Sequence, residues 1–192
     1  MLILLRHGQT AANAASRLQG RIDLPLDDVG VEQARLSGEY IRSTFGDVEV
    51  ISSPLVRAQQ TAAAVAHSVS VDHRFIELDY GDWDGVALSD VDQVEWRKWQ
   101  ADPTFCPPNG ESLVQLDARV QPALDEIGQR ARDKNIVIVS HVSPIKSAVA
   151  WAMGVGPETS WRMQLERASI CRIAMTPRGP SLHSYNDTSH LR

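Results

Sequence analysis

Two continuous apolar runs lie near opposite ends of the chain, at residues 2–5 and 136–139, the second extending to Ser140. Uninterrupted runs of this length are typical of strands that are buried on both faces of a sheet. Between them, residues 113–127 carry apolar side chains at helical spacing, and Ser112 with Gln115 forms the S-x-x-Q pattern of a capping box. This spacing predicts a helix that begins directly after Ser112.

The other segments alternate between strand and helix patterns. Strands are predicted at 48–52, 69–75, 170–175 and 181–185, the last two forming a hairpin around 177–180. Helices are predicted from Asp27 or Asp28 to about 44, from Ser53–Pro54 to about 67, over 89–100, and from Ser143–Pro144 to 153. The alternation predicts the α/β class, with helices on both sides of a mainly parallel sheet, in one domain spanning 1–192.

Two features refine this prediction. The inner face of the helix over 27–44 is predicted to comprise Val31, Ala34, Leu36, Tyr40 and Ile41. The stretch 77–85 is too acidic and too rich in glycine for a core strand, so it is predicted to form a structured loop.

Composition and charge narrow the class of protein. The net charge of −5 and the pI of about 5.6 argue against a nucleic-acid partner, since such proteins normally carry a basic face. No apolar run approaches the length of a membrane span, and the start of the chain lacks the pattern of a leader peptide. Cys106 and Cys171 give neither a disulfide framework nor metal-type spacing. We therefore expect a cytoplasmic protein with no membrane partner; the sequence leaves a homodimer open.

Both buried-type strands are followed by histidine, in Leu5-Arg6-His7 and in Ser140-His141. If these strands are parallel neighbours, both imidazoles lie at the carboxyl edge of the sheet, where open α/β folds bind their ligands. Arg57, in the first turn of a helix that follows a strand, would point to the same edge. Two arginines and a helix N-terminus converging there predict a phosphate pocket.

These residue types suit phosphoryl transfer. A neutral His7 attacks phosphorus, and Arg6, Arg57 and His141 supply positive charge around the equatorial oxygens. Neighbouring positive charge also lowers the pKa of the nucleophile and so keeps it unprotonated. Glu77 is the candidate acid for the leaving oxygen, with three neighbouring carboxylates open as alternatives: Asp79, Asp82 and Asp84. Thr10 or Asn13 would add hydroxyl and amide contacts, and no metal or cofactor is expected.

Taken together, six groups of residues resemble the histidine phosphatase superfamily of phosphoglycerate-mutase-like enzymes. They are LRHGQT at 5–10 with Asn13, QG at 19–20 with DLPL at 23–26, SSPLVRA at 52–58 with QTA at 60–62, EL at 77–78 with GDWDG at 81–85, GES at 110–112, and VSH at 139–141. They follow the family's order and span nearly the whole chain. The resemblance implies a three-layer α/β/α sandwich.

It also implies roles for individual residues. His7 matches the phosphorylated nucleophile and Glu77 the proton donor, while Arg6, Arg57 and His141 match residues that hold phosphate. The expected substrate contacts are Asn13, Gln19, Thr10, Arg21 and Val142. Val142 departs from the family pattern, because many members have glycine after the second histidine.

The expected activity is a phosphomonoesterase acting on a small phosphorylated metabolite, and the alternative is a cofactor-dependent phosphoglycerate mutase. Mutases of this family usually carry extra segments around the pocket, whereas only a short stretch separates Glu77 from Gly110 here. Short bacterial members include α-ribazole phosphatases, broad acid phosphatases and sugar-phosphoglycerate phosphatases, and the sequence does not choose among them. A member that only binds phosphorylated ligands should lack the nucleophile, an arginine or the acid, and all are present.

Overall fold

In the computed structural model, which describes residues 1–192, one mixed sheet organises the chain. Its strands are β1 (Leu2–Arg6), β2 (Glu49–Ser52), β3 (Ser70–Val71), β4 (Ile136–Ser140), β5 (Ile170–Thr176) and β6 (Gly179–Asp187). The strand order is β3-β2-β4-β1-β5-β6. Strands β1 to β4 pair in parallel, and β5 and β6 add an antiparallel hairpin beside β1. The first strand and the 136–140 strand are therefore parallel neighbours, which is the condition on which the expected meeting of the two histidines depends.

The helices are α1 (Ala11–Ala14), α2 (Asp28–Phe45), α3 (Val56–Val65), α4 (Gln93–Ala101), α5 (Leu113–Arg130) and α6 (Val142–Met153). The loops also contain short 3₁₀ turns at His73–Phe75, Gly81–Trp83, Pro157–Arg162 and Ser189–Leu191. None of the helices combines the length and apolar character that crossing a bilayer requires.

Apolar side chains cover both faces of the sheet. Successive strand residues point to opposite faces, so Leu2 and Leu4 pack in the core cluster that includes residues of α5 and α6, whereas Ile3 and Leu5 pack in the cluster with α2 and α3. All four are buried. The α/β/α sandwich with a mainly parallel sheet is thus confirmed.

Several predicted helix caps, strands and loops match the structure closely. Ser112 and Gln115 form the reciprocal capping box of α5, and Asp27 caps α2 by accepting a hydrogen bond from the Gly30 amide. The two closing strands pair as a hairpin. The loop over 77–85 is confirmed, with one 3₁₀ turn inside it.

The predicted boundaries of two helices and one strand are wrong, each for an identifiable reason. Helix α3 begins at Val56 rather than at Pro54, because Ser53 still donates its amide to Val139 and its hydroxyl contacts His141 instead of capping the helix. The strand predicted over 69–75 is only Ser70–Val71, since the Asp72 carboxylate accepts a hydrogen bond from the Arg74 amide and starts a 3₁₀ turn. The helix predicted over 89–100 begins at Gln93, with Asp92 as its N-cap.

The inner face of α2 differs most from the prediction. Val31 is 56% exposed, whereas the small residues Gly30, Ser37 and Gly38 are buried. A Cβ at Gly30 would lie 2.0 Å from the carbonyl oxygen of Gln9, so only glycine lets α2 approach this closely. The start of α2 therefore packs directly on the turn that follows His7.

Candidate active site

The two histidines meet at the carboxyl edge of the sheet. Arg6 is in register with Ser140, and the His7 amide donates to the Ser140 carbonyl at 3.0 Å, so His7 and His141 follow paired positions of β1 and β4. Their ring centroids are 5.0 Å apart with an interplanar angle of 58°. Both side chains are buried.

The contacts of His7 define its tautomer. Its Nδ1 lies 2.7 Å from the carbonyl oxygen of Gly8, which can only accept, so Nδ1 carries the proton and Nε2 holds a lone pair. Arg57 donates from Nε to that Nε2 at 3.3 Å. Burial, together with the charges of Arg57 and Arg6, lowers the pKa of His7 well below its usual range. His7 is therefore neutral at physiological pH, and Nε2 is the ring atom that can act as a nucleophile.

Arg57 is fully buried and held by carbonyl oxygens rather than by carboxylates. One terminal nitrogen donates to Ile22 O at 2.9 Å and the other to Gly20 O at 2.7 Å. The Asp84 carboxylate fixes this segment by accepting from the amides of residues 20–22. Because no carboxylate pairs with the guanidinium, its positive charge stays available to an anion.

Arg6, directly before His7 in the sequence, supplies a second cation. Its NH1 donates to Leu165 O at 2.6 Å, and its buried Nε has no partner. Burial lowers the pKa of Arg6 to about 10, so the group is still charged at neutral pH.

Arg167 is a third cation, which the sequence analysis missed. It donates to Gln9 Oε1 at 2.7 Å and to Asn13 O at 2.9 Å, and its charge contributes to the lowered pKa of both His7 and Arg6. Leu5 pairs antiparallel with Ile170, so residues just before Ile170 lie where β1 ends. Arg167 could have been identified from the sequence only if the pairing of β5 with β1 had been known.

His141 lies at the N-cap of α6. Its Nε2 is 2.7 Å from the Ser53 hydroxyl, and its buried Nδ1 has no partner. Burial, followed by the charge of Arg57, lowers its pKa well below the usual range. His141 is therefore neutral at physiological pH, and the positive charge expected of it from the sequence is wrong for the unliganded site. What it offers is a ring nitrogen without a partner.

The Glu77 carboxylate is buried against the first turn of α6. It accepts from the amides of Leu78 at 2.7 Å, Val142 at 3.1 Å and Ser143 at 3.2 Å. Burial raises the pKa of Glu77, and these hydrogen bonds and the Arg57 charge oppose that rise. A carboxyl with a raised pKa, close to an anion site, can give and take a proton.

The three alternative acids have other partners. Asp79 pairs with Arg21 at 2.9 Å and accepts from the Gly81 amide, Asp82 contacts Asn109, and Asp84 holds the amides of residues 20–22. Of the four carboxylates, Glu77 alone contacts the start of α6 beside the histidines.

The remaining predicted substrate contacts lie around this centre. Thr10 is buried, donates to Gln19 Oε1 at 2.6 Å and forms the capping box of α1 with Asn13. Arg21 is exposed and forms an ion pair with Asp79. The amide of Val142 donates a hydrogen bond to Glu77. Their contact with substrate stays a prediction.

Comparison with known proteins agrees with this arrangement. The family model of the histidine phosphatase superfamily, branch 1, matches residues 2–188. A bifunctional protein of Mycobacterium tuberculosis is 34% identical over 99% of this chain and 54% of its own length, so the chain spans about half of that relative. Phosphoserine phosphatase 1 of Hydrogenobacter thermophilus is 31% identical, with 99% of this chain and 93% of that protein covered.

Among solved structures, a phosphoserine phosphatase mutant from Entamoeba histolytica in complex with phosphoserine superposes with a TM-score of 0.90. It is 28% identical, and the match covers 100% of this chain and 98% of that one. The chain belongs to the histidine phosphatase superfamily, branch 1.

Proposed function

We propose that the protein is a phosphomonoesterase that hydrolyses a small phosphorylated metabolite through a phosphohistidine on His7. The observation that carries the proposal is the state of His7: a buried, neutral imidazole whose Nε2 lone pair faces Arg57 at 3.3 Å. Two of the relatives above are phosphoserine phosphatases, and phosphoserine is a phosphate monoester, which supports the same reaction class.

In the first step, His7 Nε2 attacks phosphorus as the bond between phosphorus and the alcohol oxygen breaks. The phosphoryl oxygens replace Nε2 as the acceptor of the Arg57 hydrogen bond and are also held by Arg6 and His141. The Nδ1–H bond to Gly8 O fixes the ring and stabilises the positive charge that develops on it. The protonated Glu77 carboxyl delivers its proton to the leaving oxygen, and the alcohol departs neutral.

In the second step, water attacks the phosphohistidine. The Glu77 carboxylate accepts a proton from that water as the new P–O bond forms and the P–Nε2 bond breaks. Phosphate leaves, and the enzyme returns with His7 neutral and Glu77 protonated. Fixed positive charge from the arginines takes the place that a divalent cation has in many phosphoryl-transfer enzymes.

The test is phosphate release from a panel of phosphoserine, phosphoglycerates, sugar phosphates, nucleotides and α-ribazole phosphate in excess chelator. We expect hydrolysis to persist in chelator, with one ester turned over much faster than the others. Interconversion of phosphoglycerates without release of phosphate would show instead that the chain is a mutase. Loss of all activity in chelator would contradict the metal-free chemistry.

Glu77→Gln should lower kcat/KM on the order of 10²–10⁴-fold for alkyl phosphates and much less for p-nitrophenyl phosphate. This ratio reports the steps up to departure of the alcohol, before water attacks the phosphohistidine, and in those steps only the alkoxide needs a proton to leave. The pH profile should change as well. The Glu77 pKa is raised, and the acid form is lost as pH rises through it, so the wild-type rate on alkyl esters falls on the alkaline side. The Glu77→Gln variant should not show this fall in rate on the alkaline side.

Asp82→Asn is the matched control, since Asp82 lies in the same loop and its carboxylate is hydrogen-bonded only to Asn109. An equal loss of kcat/KM on alkyl and aryl esters in Glu77→Gln, or a larger selective loss in Asp82→Asn, would assign the acid role to another carboxylate.

A further inference from the structure

The peptide group that joins Gly8 to Gln9 contacts the ring of His7. Its carbonyl oxygen accepts the His7 Nδ1 proton at 2.7 Å, which is the contact that leaves a lone pair on Nε2. The N–H of the same peptide, on Gln9, donates to Oε1 of Gln33 at 2.9 Å. A chain of hydrogen bonds therefore runs from the nucleophilic ring, through one peptide group, to a side chain on α2.

The orientation of the Gln33 carboxamide follows from this contact. A backbone N–H can only donate, so the atom that faces it is the side-chain oxygen rather than the NH₂ group. Gln33 is half-buried on the second turn of α2, and its carboxamide makes no other hydrogen bond within the protein. The polar contact of this side chain is thus directed at the peptide that holds His7.

Glycine at position 8 makes an anchor for this peptide necessary. Because Gly8 has no side chain, the peptide after it rotates more freely than others, and rotation would turn the carbonyl away from His7. The start of α2 limits that rotation, since a Cβ on Gly30 would lie 2.7 Å from the Gln9 nitrogen. Gly30 lets the helix backbone contact the peptide, and Gln33, one turn later, accepts its proton.

Other contacts fasten α2 to Gln9 independently of Gln33. The Asp27 carboxylate caps α2 with Oδ1 and accepts from Gln9 Nε2 at 3.0 Å with Oδ2. The Asp27 amide donates to the Gln9 carbonyl, also at 3.0 Å. Replacing Gln33 therefore removes the acceptor of the Gln9 N–H without detaching the helix from the turn.

We propose that Gln33 is a positioning residue for the nucleophile and acts on His7 through the Gly8–Gln9 peptide. The inference rests on the proposed function and adds to it a residue that does not touch the substrate. Hydrogen bonds in a chain polarise one another, so an acceptor on the peptide N–H makes the carbonyl a stronger acceptor for Nδ1–H. When Nε2 bonds to phosphorus the ring becomes positive, and this carbonyl, already oriented, stabilises that charge.

Gln33→Met keeps the length of the side chain and removes the acceptor. It should lower kcat/KM about 10-fold to 100-fold, the range found when the outer hydrogen-bond partner of a metal-bound histidine is removed. The loss should be equal on alkyl phosphates and on p-nitrophenyl phosphate, because attack by His7 is common to both. Gln33→Glu keeps an oxygen acceptor at the same place and should restore kcat/KM to near the wild-type value.

The state of the His7 ring is measured directly by NMR. The Nδ1–H resonance of isotope-labelled protein is assigned by its absence from His7→Ala, and it moves downfield as its hydrogen bond strengthens. It should move upfield in Gln33→Met, and in Gln33→Glu it should stay at the wild-type position or move downfield. A residue that contributed only to the stability of the fold would leave this resonance in place.

Gln115→Met removes the same kind of bond elsewhere. The Gln115 Oε1 also accepts from a backbone amide, that of Ser112 at 2.8 Å, but at the start of α5. This variant should keep the wild-type kcat/KM and the wild-type His7 resonance. Gln33→Leu replaces Gln33→Met if that variant does not fold. An unshifted His7 resonance in the Gln33 variant, or equal losses of kcat/KM in the Gln33 and Gln115 variants, would overturn the proposal.

Failure of the proposed function gives a different result. In that case the wild type releases no phosphate from p-nitrophenyl phosphate or from any ester of the panel. The NMR comparison needs no substrate, so it still decides whether Gln33 acts on the His7 ring. An upfield shift in Gln33→Met with none in Gln115→Met would support that action independently of turnover, and no shift in either would overturn it.

Discussion

His7→Ala should reduce phosphate release by on the order of 10⁴-fold or more on alkyl and aryl esters alike, because it removes the atom that attacks phosphorus. The fold should persist, since the strand that carries His7 is anchored by buried residues on both faces of the sheet. Circular dichroism and thermal unfolding check the fold, and phosphate release with p-nitrophenyl phosphate measures the loss.

His67→Ala is the control for this experiment, because His67 is exposed and lies after the end of α3. It should turn over substrate at the wild-type rate. A folded His7→Ala protein with near-normal turnover would exclude His7 as the nucleophile.

Arg57→Met should reduce kcat/KM by about 10³-fold or more, within the range seen when a charged donor to a transferring phosphoryl group is removed. It should also change the pH profile. The Arg57 charge helps to lower the pKa of His7, so its removal raises that pKa. His7 must be neutral to attack, and the acid limb of kcat/KM should therefore move to higher pH.

Arg57→Lys separates the two effects. It keeps the positive charge, so the acid limb should stay near its wild-type position, but it loses the forked contacts to Gly20 O and Ile22 O. Arg35→Met, at an exposed position on α2, should change neither quantity. An unshifted acid limb in a folded Arg57→Met protein would contradict the electrostatic role assigned to Arg57.

Sequence patterns predict those parts of the fold that local chemistry determines. The two apolar strands and the capping box of α5 are properties of a few neighbouring residues, and the structure has them where they are predicted. The inner face of α2 is different, because burial of Gly30 and Gly38 depends on backbone approaching from Gln9 and Ala64. Hydrophobicity alone gives no signal for such contacts.

The candidate site shows the same division. The proximity of His7 and His141 could be inferred from the sequence, because each directly follows a buried strand and the two strands pair in parallel. The presence of Arg167 at the site could not be inferred in this way, since its position depends on which strand neighbours β1. Glu77 could be named from the sequence, and the family resemblance favoured it, but composition left three neighbouring carboxylates open. Only the structure gives the different partners of the four.

Trapping the phosphoenzyme tests the central claim most directly. The enzyme is mixed with a rapidly hydrolysed ester and quenched in alkali within the first turnover, since phosphohistidine is stable in base and labile in acid. The intact mass and the peptide map are then measured. The account predicts one added phosphoryl group, located on His7 and absent from His7→Ala. A phosphoryl group on another residue, or rapid turnover with no phosphoenzyme at any time, would contradict it.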